Sequence, residues 1–295
     1  MPVIRPPALL PTLVSTLGLF RHAHRGLADP AQLPHIERAL PAGRLDPQWL
    51  QAYRACVGLE AQDCLPPLAL QIAAAPLHMA ILADRGFPFP AMGLVHMTQS
   101  VTQSRVLPDH APLALRAWTG TARWEKRGMS FGLITEASLD GEVVWRGETR
   151  ALALDRSRHA KATARHGKLA ASADNAPTLR REALVTLPES CGRRYAAIAG
   201  DLNPIHQRAL LARLFGFRRA IVHGTWTLAR ALAVAELSQL PAYELQATFR
   251  RPVELPSQIL IRAYANALQQ HSVQVTSADA RQQLIDVQVS VPGRA

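Results

Sequence analysis

The residue types that could do chemistry are concentrated in one short stretch in the second half of the chain. Asp201 and His206 flank Pro204, which interrupts a helix and favours a turn that brings the two side chains together. An aspartate with a pKa of ~3.9 and a histidine with a pKa of ~6.5 together suit acid–base work on water at neutral pH. Taken alone, such a pair is more often a helix cap beside a surface histidine.

A glycine begins the next segment, and its backbone could bind an anion. Residues 224–237 are apolar and rich in alanine, which predicts a helix that begins at Gly224. The first amides of a helix have no partner within it, and the helix dipole is positive at that end. Because glycine allows close approach to the backbone, the Gly224 amide could stabilise a negatively charged oxygen. A simple turn between strand and helix is the alternative.

Alternating apolar and polar residues predict a mostly antiparallel sheet around this helix. Asp140-Gly141 is typical of a hairpin turn. The predicted strands are 93–107, 113–125, 129–139 and 142–154 in the first half, and 183–187, 243–255, 257–268, 272–278 and 284–291 in the second. One long helix against an antiparallel sheet is an α+β fold.

Length and composition divide the chain into two parts. Its 295 residues are enough for two domains. The stretch 155–181 is polar, basic and poor in large apolar side chains, and therefore predicts a linker. We expect a first domain at 1–154 and a second at 182–295. A long surface loop within one domain is the alternative.

The stretch around Asp201 resembles the MaoC-like acyl dehydratases, also called (R)-specific enoyl-CoA hydratases or hydratase 2, which have the hotdog fold. The matching residues are Tyr195, Gly200, Asp201, Asn203, Pro204, Ile205, His206, Gly216, Phe217, His223 and Gly224. The chain has Ala199 where the family often has serine. It also has Pro256-Ser257-Gln258 where the family often has Pro-Gly-Asp. The resemblance covers about residues 180–292.

This resemblance implies a hydro-lyase that reversibly hydrates trans-2-enoyl thioesters to (3R)-hydroxyacyl thioesters. It implies that Asp201 and His206 share the catalytic water and that the Gly224 amide binds the thioester oxygen. The sequence leaves open which of the pair carries each proton. The further candidates for substrate binding are Asn203, Tyr195, Phe217, His223, Arg219 and Arg250. Asn203 could instead cap a helix, and His223 could instead be a satisfied core histidine.

The first half repeats part of the pattern without its chemistry. Pro76-Leu77-His78 matches Pro204-Ile205-His206, and Leu94-Val95-His96 matches Ile221-Val222-His223. The positions that correspond to Asp201 and Gly224 are Ala73 and Met97, and residues 93–107 read as a strand where the second half has its helix. Chance is the alternative for such short matches. The pattern is similar to that of double-hotdog relatives, whose degenerate N-terminal half houses the acyl tail in a groove.

Charge favours acidic partners. The formal net charge is +11 and nearly all basic residues are arginines, which suits the phosphates of coenzyme A or an acidic acyl carrier protein. Arginines 193, 194, 218, 219, 250 and 251 flank the proposed site, although a solvated basic face is the alternative for each. We expect no nucleic-acid partner, because zinc-finger spacing, RNP motifs and KH-type loops are missing from the sequence.

The remaining features predict an ordinary cytoplasmic enzyme. The apolar stretch 8–20 is too short to span a bilayer and contains Pro11, so we expect no stable membrane insertion. Three scattered cysteines fit a reducing compartment. We expect no metal and no separate cofactor, since coenzyme A or the pantetheine of an acyl carrier protein would enter as part of the substrate. A homodimer is compatible with the sequence.

Two other functions remain open at this point. A non-catalytic acyl-thioester-binding subunit would use the same pocket without turnover. A hotdog thioesterase would release a free thiol instead of adding water.

Overall fold

The computed structural model describes residues 2–4, 26–91, 93–155, 177–268 and 270–291. The apolar stretch 8–20 and most of the predicted linker, residues 156–176, lie outside the described residues. No helix in the described part of the chain is long and apolar enough to cross a bilayer.

In each half, helices follow the first long strand, and several further strands follow the helices. The first half contains β1 (Val3–Ile4), β2 (Glu37–Leu45), α1 (Pro47–Val57), α2 (Ala69–Ala73), α3 (Ala75–Leu82), β3 (Val95–Gln103), β4 (Leu113–Glu125), β5 (Gly128–Leu139) and β6 (Glu142–Leu154). The second half contains β7 (Thr178–Leu187), α4 (Cys191–Ala199), α5 (Ala209–Leu214), β8 (Ile221–Val222), α6 (Gly224–Val234), β9 (Tyr243–Phe249), β10 (Val253–Glu254), β11 (Ser257–Ala265), β12 (Gln270–Ser277) and β13 (Gln283–Ser290). Short 3-10 turns lie at Pro30–Gln32 and Pro204–His206.

One sheet runs through both halves. Its order among the described strands is β1-β2-β4-β5-β6-β3-β9-β13-β12-β11-β7. The halves join where β3 pairs with β9 in antiparallel register, from Thr98 opposite Thr248 to Gln103 opposite Tyr243. Strands β8 and β10 form a separate antiparallel pair. The predicted α+β class is confirmed.

Strand β7 begins earlier than the sequence predicts. The predicted boundary falls at residue 182, but Thr178 already pairs with Ala265 of β11. Residues 178–181 therefore belong to the sheet and not to the linker. This strand lies at the edge of the sheet and is mostly exposed, so its polar residues give it the composition of a linker.

Two other predicted elements end sooner than expected. The predicted strand 243–255 is split into β9 and β10, because Pro252 has no N–H to donate to a ladder. The predicted helix 224–237 ends at Val234, because Glu236 adopts a left-handed conformation with φ 57°.

No counterpart of α6 lies among the described residues of the first half. The chain enters β3 directly at Val95, as expected from the sequence. However, α2 and α3 precede that strand, and α3 packs against β2 and β4 with Ile81 fully buried. Part of the face that was expected to be open is therefore covered, and the acyl groove stays a prediction.

Helices of the two halves pack against one another beside the predicted site. The indole N–H of Trp226 in α6 donates to the carbonyl of Cys56 in α1 at 3.0 Å. The indole N–H of Trp49 in α1 donates to the carbonyl of Ile198 in α4 at 2.9 Å. Tyr53 of α1 is completely buried in this contact region. These contacts fix both helices that flank the predicted loop.

Candidate active site

The loop that carries Asp201 is shaped by residues on both sides of it. Helix α4 ends at Gly200, whose φ of 70° is left-handed and whose N–H donates to the carbonyl of Ala196 at 2.8 Å. The chain then reverses into Asp201. The side chain of Asn203 accepts from the N–H of Ile205 at 3.3 Å and caps the 3-10 turn that holds His206. Asn203 therefore positions the loop, as its capping alternative predicted.

The loop brings Asp201 against two histidines. Oδ1 of Asp201 accepts from the N–H of Asn203 at 3.1 Å, which fixes the carboxylate. Oδ2 then lies 3.8 Å from Nε2 of His206 and 3.6 Å from Nε2 of His223. Both histidines are buried, whereas the Asp201 side chain is 49% exposed. The carboxylate is therefore open to a ligand on one side and faces the imidazoles on the other.

Hydrogen bonds indicate which nitrogen of each ring is the donor. Nδ1 of His206 lies 2.8 Å from the carbonyl of Ile221, so this nitrogen is the donor and Nε2 keeps its lone pair. Nε2 of His223 lies 3.2 Å from the carbonyl of Asp201 and is the donor in that ring. Its Nδ1 is buried without a hydrogen-bond partner among the described residues. His223 is therefore a core histidine, as one alternative predicted, but only one of its two ring nitrogens has a hydrogen-bond partner among the described residues.

Burial and charge set the ionisation of the cluster. Burial, together with the neighbouring His206, lowers the pKa of His223 to about 3, so this ring is neutral at pH 7. Burial by itself raises the pKa of Asp201. The two histidines and the Asn203 amide outweigh it, and the pKa of Asp201 lies below its ordinary value. The carboxylate is thus ionised at neutral pH beside the neutral imidazole of His223.

The helix tip lies directly beside this cluster. His223 is the N-cap residue of α6, and no side chain caps the helix. An added Cβ on Gly224 would lie 2.9 Å from Cε1 of Phe249, so only glycine fits beneath that ring. The Phe249 ring also contacts the His96 ring, at 4.2 Å between centroids. Because His223 is also 3.6 Å from Oδ2 of Asp201, the start of this helix adjoins the cluster of carboxylate and imidazoles.

Gly192, which sequence reasoning missed, and Arg193, which it named only as a flanking arginine, support the loop. A Cβ on Gly192 would lie 2.3 Å from the carbonyl oxygen of His206, so α4 and the catalytic turn can meet only at a glycine. Nη1 of Arg193 donates to the carbonyl of Gln207 at 2.9 Å. Arg193 is therefore a structural residue of the loop and not a free phosphate ligand. A glycine followed by two arginines on a helix gave no signal of this role.

Tyr195 does not line the site, although the sequence predicted substrate contact. Its side chain is completely buried, and its hydroxyl donates to Oγ1 of Thr225 at 3.2 Å. Its ring meets the His223 ring edge to face, with 5.1 Å between centroids. Tyr195 therefore supports the imidazole and the first turn of α6 from within the core.

The other residues that were predicted to contact substrate lie outside the cluster of Asp201, His206 and His223. Arg219 lines a surface recess together with Arg213 and Arg218. Nε of Arg250 is bound to Oδ2 of Asp286 at 2.7 Å, which ties this guanidinium to the sheet. The N–H of Phe217 donates to the carbonyl of Ala212 at 3.2 Å and closes the turn after α5. For Phe217 and Arg219, contact with substrate stays a prediction.

The cluster has the side chains of a metal site but not its geometry. One ligand atom from each of Asp201, His206 and His223 lies within 4.8 Å of the others. However, the two imidazoles stack with 3.6 Å between centroids and 24° between planes, so their in-plane lone pairs do not converge. Nε2 of His223 also carries a hydrogen toward the Asp201 carbonyl. Two acceptors, Oδ2 of Asp201 and Nε2 of His206, remain for a hydrogen-bond donor.

A water molecule is the donor that this pair fits. The 3.8 Å between Oδ2 of Asp201 and Nε2 of His206 is too long for a direct hydrogen bond, and both atoms are acceptors. One water can donate to both, which leaves its lone pairs free to attack an electrophile. The Gly224 amide at the helix tip can stabilise the oxyanion formed by that attack. The arrangement suits addition of water to an unsaturated carbonyl compound.

Comparison with known proteins agrees with this geometry. The family profile described as a MaoC like domain matches residues 169–288. The chain is 32% identical over 230 residues to 3-hydroxyacyl-thioester dehydratase X of Mycobacterium tuberculosis, covering 77% of this chain and 79% of that protein. The crystal structure of HtdX from that organism matches with a TM-score of 0.74 and 25% identity, over 87% of this chain and 100% of that one.

A further structure names the fold. An M. tuberculosis protein described as having a double hotdog fold matches with a TM-score of 0.53 and 14% identity, over 88% of this chain and 99% of that one. The predicted double hotdog is therefore confirmed, with its long central helix retained in the C-terminal half.

Proposed function

Because the chain belongs to the MaoC-like dehydratase family, we propose that it catalyses the reversible hydration of trans-2-enoyl thioesters to (3R)-hydroxyacyl thioesters. The observation that carries this proposal is the pair of acceptors, Oδ2 of Asp201 and Nε2 of His206, beside the uncapped start of α6. A dehydratase needs both parts, since water and the enolate oxygen occupy the site together.

In the hydration direction, the thioester oxygen accepts a hydrogen bond from the Gly224 amide. This draws electrons from the C2–C3 double bond. The water held by Asp201 and His206 forms the new C3–O bond and gives one proton to the pair, and C2 takes one proton from the pair. The pair ends in its starting ionisation state, so one water is added. Dehydration follows the same steps in reverse.

His223 has a positioning role in this scheme. Its Nε2–H faces both the backbone carbonyl and the carboxylate of Asp201, and its ring supports that of His206. Because its pKa is depressed to about 3, it stays neutral and does not compete for the proton. It holds the carboxylate in the orientation that binds water.

We propose that the thioester is carried by coenzyme A or by the pantetheine of an acyl carrier protein, and that the reaction takes place in the cytoplasm. The arginines beside the site support an anionic carrier. The free thiols of Cys56, Cys64 and Cys191 support a reducing compartment.

The test is turnover of crotonyl-CoA by the purified chain. We expect the enoyl absorbance to fall without release of free thiol, and chiral analysis to find the (3R)-hydroxy product. Release of thiol would instead indicate a thioesterase. Saturable binding of crotonyl-CoA without any product would indicate a binding subunit.

A further inference from the structure

Helix α5 exposes the residues that a surface helix normally buries. Leu210 and Leu214 lie on one face, four residues apart, and are 72% and 78% exposed. Leu211 and Phe215 are each 36% exposed, whereas the only buried residue of this helix is Ala212. A surface helix of a monomer turns its apolar face inward. A cluster of apolar side chains pointing outward is typical of an interaction surface.

Basic residues adjoin these apolar side chains. Arg213, Arg218 and Arg219 line a recess of about 380 Å³ that also contains Glu189. None of these three guanidinium groups forms an ion pair with a carboxylate in the described part of the chain. Their charge is therefore available to an acidic partner. We call the exposed apolar residues of 210–215 and these three arginines the α5 patch.

The α5 patch lies next to the catalytic turn. Helix α5 begins at Ala209, so its first residue is within ~11 Å of His206 along the chain. Leu214 is ~8 Å further along the helix axis. The recess also includes Leu255, whose N–H donates to the carbonyl of Ala220. Ala220 immediately precedes Ile221 of β8, whose carbonyl accepts the hydrogen bond from His206. A pantetheine arm, about as long as five extended residues or ~17 Å, can span this distance.

We propose that the α5 patch is the docking surface for an acidic acyl carrier protein that delivers the thioester. This inference rests on the proposed function. The leucines would pack on apolar residues of a carrier helix, and the arginines would pair with the acidic side chains around them. The arm would then reach the Asp201 site from the patch.

Charge and area favour this partner over other occupants. The phosphates of coenzyme A could pair with the arginines, but coenzyme A would not explain a helix face of exposed leucines. A second copy that used the same patch around a two-fold axis would bring the unpaired arginines of both copies together. Helix α5 has only six residues, which gives little area for a membrane surface.

The experiment compares two carriers for the same acyl group. The double variant Leu210→Ser/Leu214→Ser and the wild type are assayed with crotonyl-CoA and with a crotonyl-loaded bacterial acyl carrier protein. We expect the variant to lose at least about tenfold in kcat/KM on the carrier protein, while kcat/KM on crotonyl-CoA changes less than about twofold. The matched control Leu268→Ser removes an equally exposed leucine from another turn and should leave both values unchanged.

Charge is tested in the same way. Arg213→Ser/Arg218→Ser should lower kcat/KM for the carrier protein and make it less dependent on salt. Arg127→Ser, on the hairpin between β4 and β5, should do neither.

Several outcomes would overturn the proposal. Equal loss on both carriers would place the leucines in catalysis or folding, and a lower melting temperature of the leucine variant would mean that the patch is covered within the chain. Conversion of a dimer to a monomer without a change in carrier preference would identify a second copy. If the wild type hydrates neither substrate, the proposed function fails. Binding of the carrier protein to wild type and variant would then still decide the docking surface.

Discussion

His206 and its counterpart in the first half, His78, make different hydrogen bonds and therefore differ in what they can do. The carbonyl of Ile221 accepts a hydrogen bond from Nδ1–H of His206, which leaves Nε2 free toward the water site. The corresponding residue of the first half, His78, instead contacts Oγ1 of Thr135 at 2.6 Å and forms no ion pair with a carboxylate among the residues that the structure describes. Burial, followed by the neighbouring His96, lowers the pKa of His78 to about 4. This half therefore offers a neutral imidazole without the acid that would complete a pair.

Gly224 can be tested through its contact with Phe249. Gly224→Ala should push the ring or the helix start out of place, because the added Cβ would lie 2.9 Å from Cε1. We expect kcat/KM for crotonyl-CoA to fall by about 10²-fold, as for loss of an oxyanion donor. Phe249→Leu in the Gly224→Ala background should restore part of it, since the clash is removed. No loss in the single variant would show that the helix tip tolerates a side chain.

At the residue scale, the sequence predicted the groups that touch the reacting atoms better than those that hold them. Asp201, His206 and Gly224 are close in sequence, and a turn was enough to unite them. Gly192 and Phe249 act through contacts with distant segments, which a single sequence does not reveal. Tyr195 matched a family pattern, but the pattern does not tell a buried support from a substrate ligand.

Among the elements, α6 ends in a conformation that its sequence does not favour. The N–H of Leu237 donates to the carbonyl of Leu232 and that of Glu236 to Ala233, which is a Schellman motif. Glycine is the usual residue at the left-handed position, where this chain has Glu236 with φ 57°. The side chain of Glu236 gains only an exposed ion pair with Arg181.

Glu236→Gly should therefore stabilise the protein by about 0.5–1 kcal/mol despite the lost ion pair. Urea denaturation measures the change in the free energy of unfolding. Glu236→Gln removes the charge but keeps the Cβ, and should change stability by less than about 0.5 kcal/mol. A destabilised glycine variant would mean that the ion pair outweighs the backbone strain.

The predicted acyl groove of the first half depends on which residues of that half lie near the start of α6. In the sequence comparison Met97 corresponds to Gly224, but the first-half ring that contacts Phe249 belongs to His96. His96→Trp should lower kcat/KM more for long acyl chains than for crotonyl-CoA, because the larger ring would fill space next to Phe249, the residue that contacts Gly224. His96→Gln, of similar size to the native residue, should keep the native preference. An equal loss at all chain lengths would contradict the groove.

Strand positions were predictable where one face of the strand is buried. The period of two located β4, β5 and β6 to within a residue of their observed ends. The prediction was wrong for residues 178–181, because an edge strand exposed on most of its surface has no such period. The split at Pro252 could have been predicted, since proline cannot donate to a ladder.

In the whole molecule, three buried histidines link stability to pH. Burial is the largest cause that lowers the pKa of His78 and His96 to about 4 and that of His223 to about 3, from 6.5. Above pH 6.5 both folded and unfolded chains leave them neutral. Below it the unfolded chain binds protons that the folded chain does not, so stability is lost between about pH 6.5 and 4.

We expect the free energy of unfolding to fall between pH 7 and pH 5 by on the order of 2 kcal/mol for each such histidine. Urea denaturation at both pH values measures it. His78→Gln, which can still bond Thr135, should show a smaller fall. Stability that is unchanged between pH 7 and pH 5 would show that these histidines protonate in the folded protein as readily as in the unfolded chain.

The single sheet and two tryptophan hydrogen bonds connect the catalytic half to the first half. Trp49 and Trp226 join α1 of the first half to α4 and α6, which carry the catalytic loop and the helix tip. The sequence predicted two halves from composition and an internal match. It could not predict that they share one sheet, because the β3–β9 pairing joins segments far apart in the chain.

The central claim is that Asp201 and His206 act on one water beside the Gly224 amide. The most direct measurement is kcat/KM for crotonyl-CoA in Asp201→Asn, His206→Gln and the double variant, with folding checked by circular dichroism. Each single variant should lose at least about 10²-fold, and the double variant should be about as slow as the slower single, since both act on the same step. Full activity in either single variant would contradict the claim.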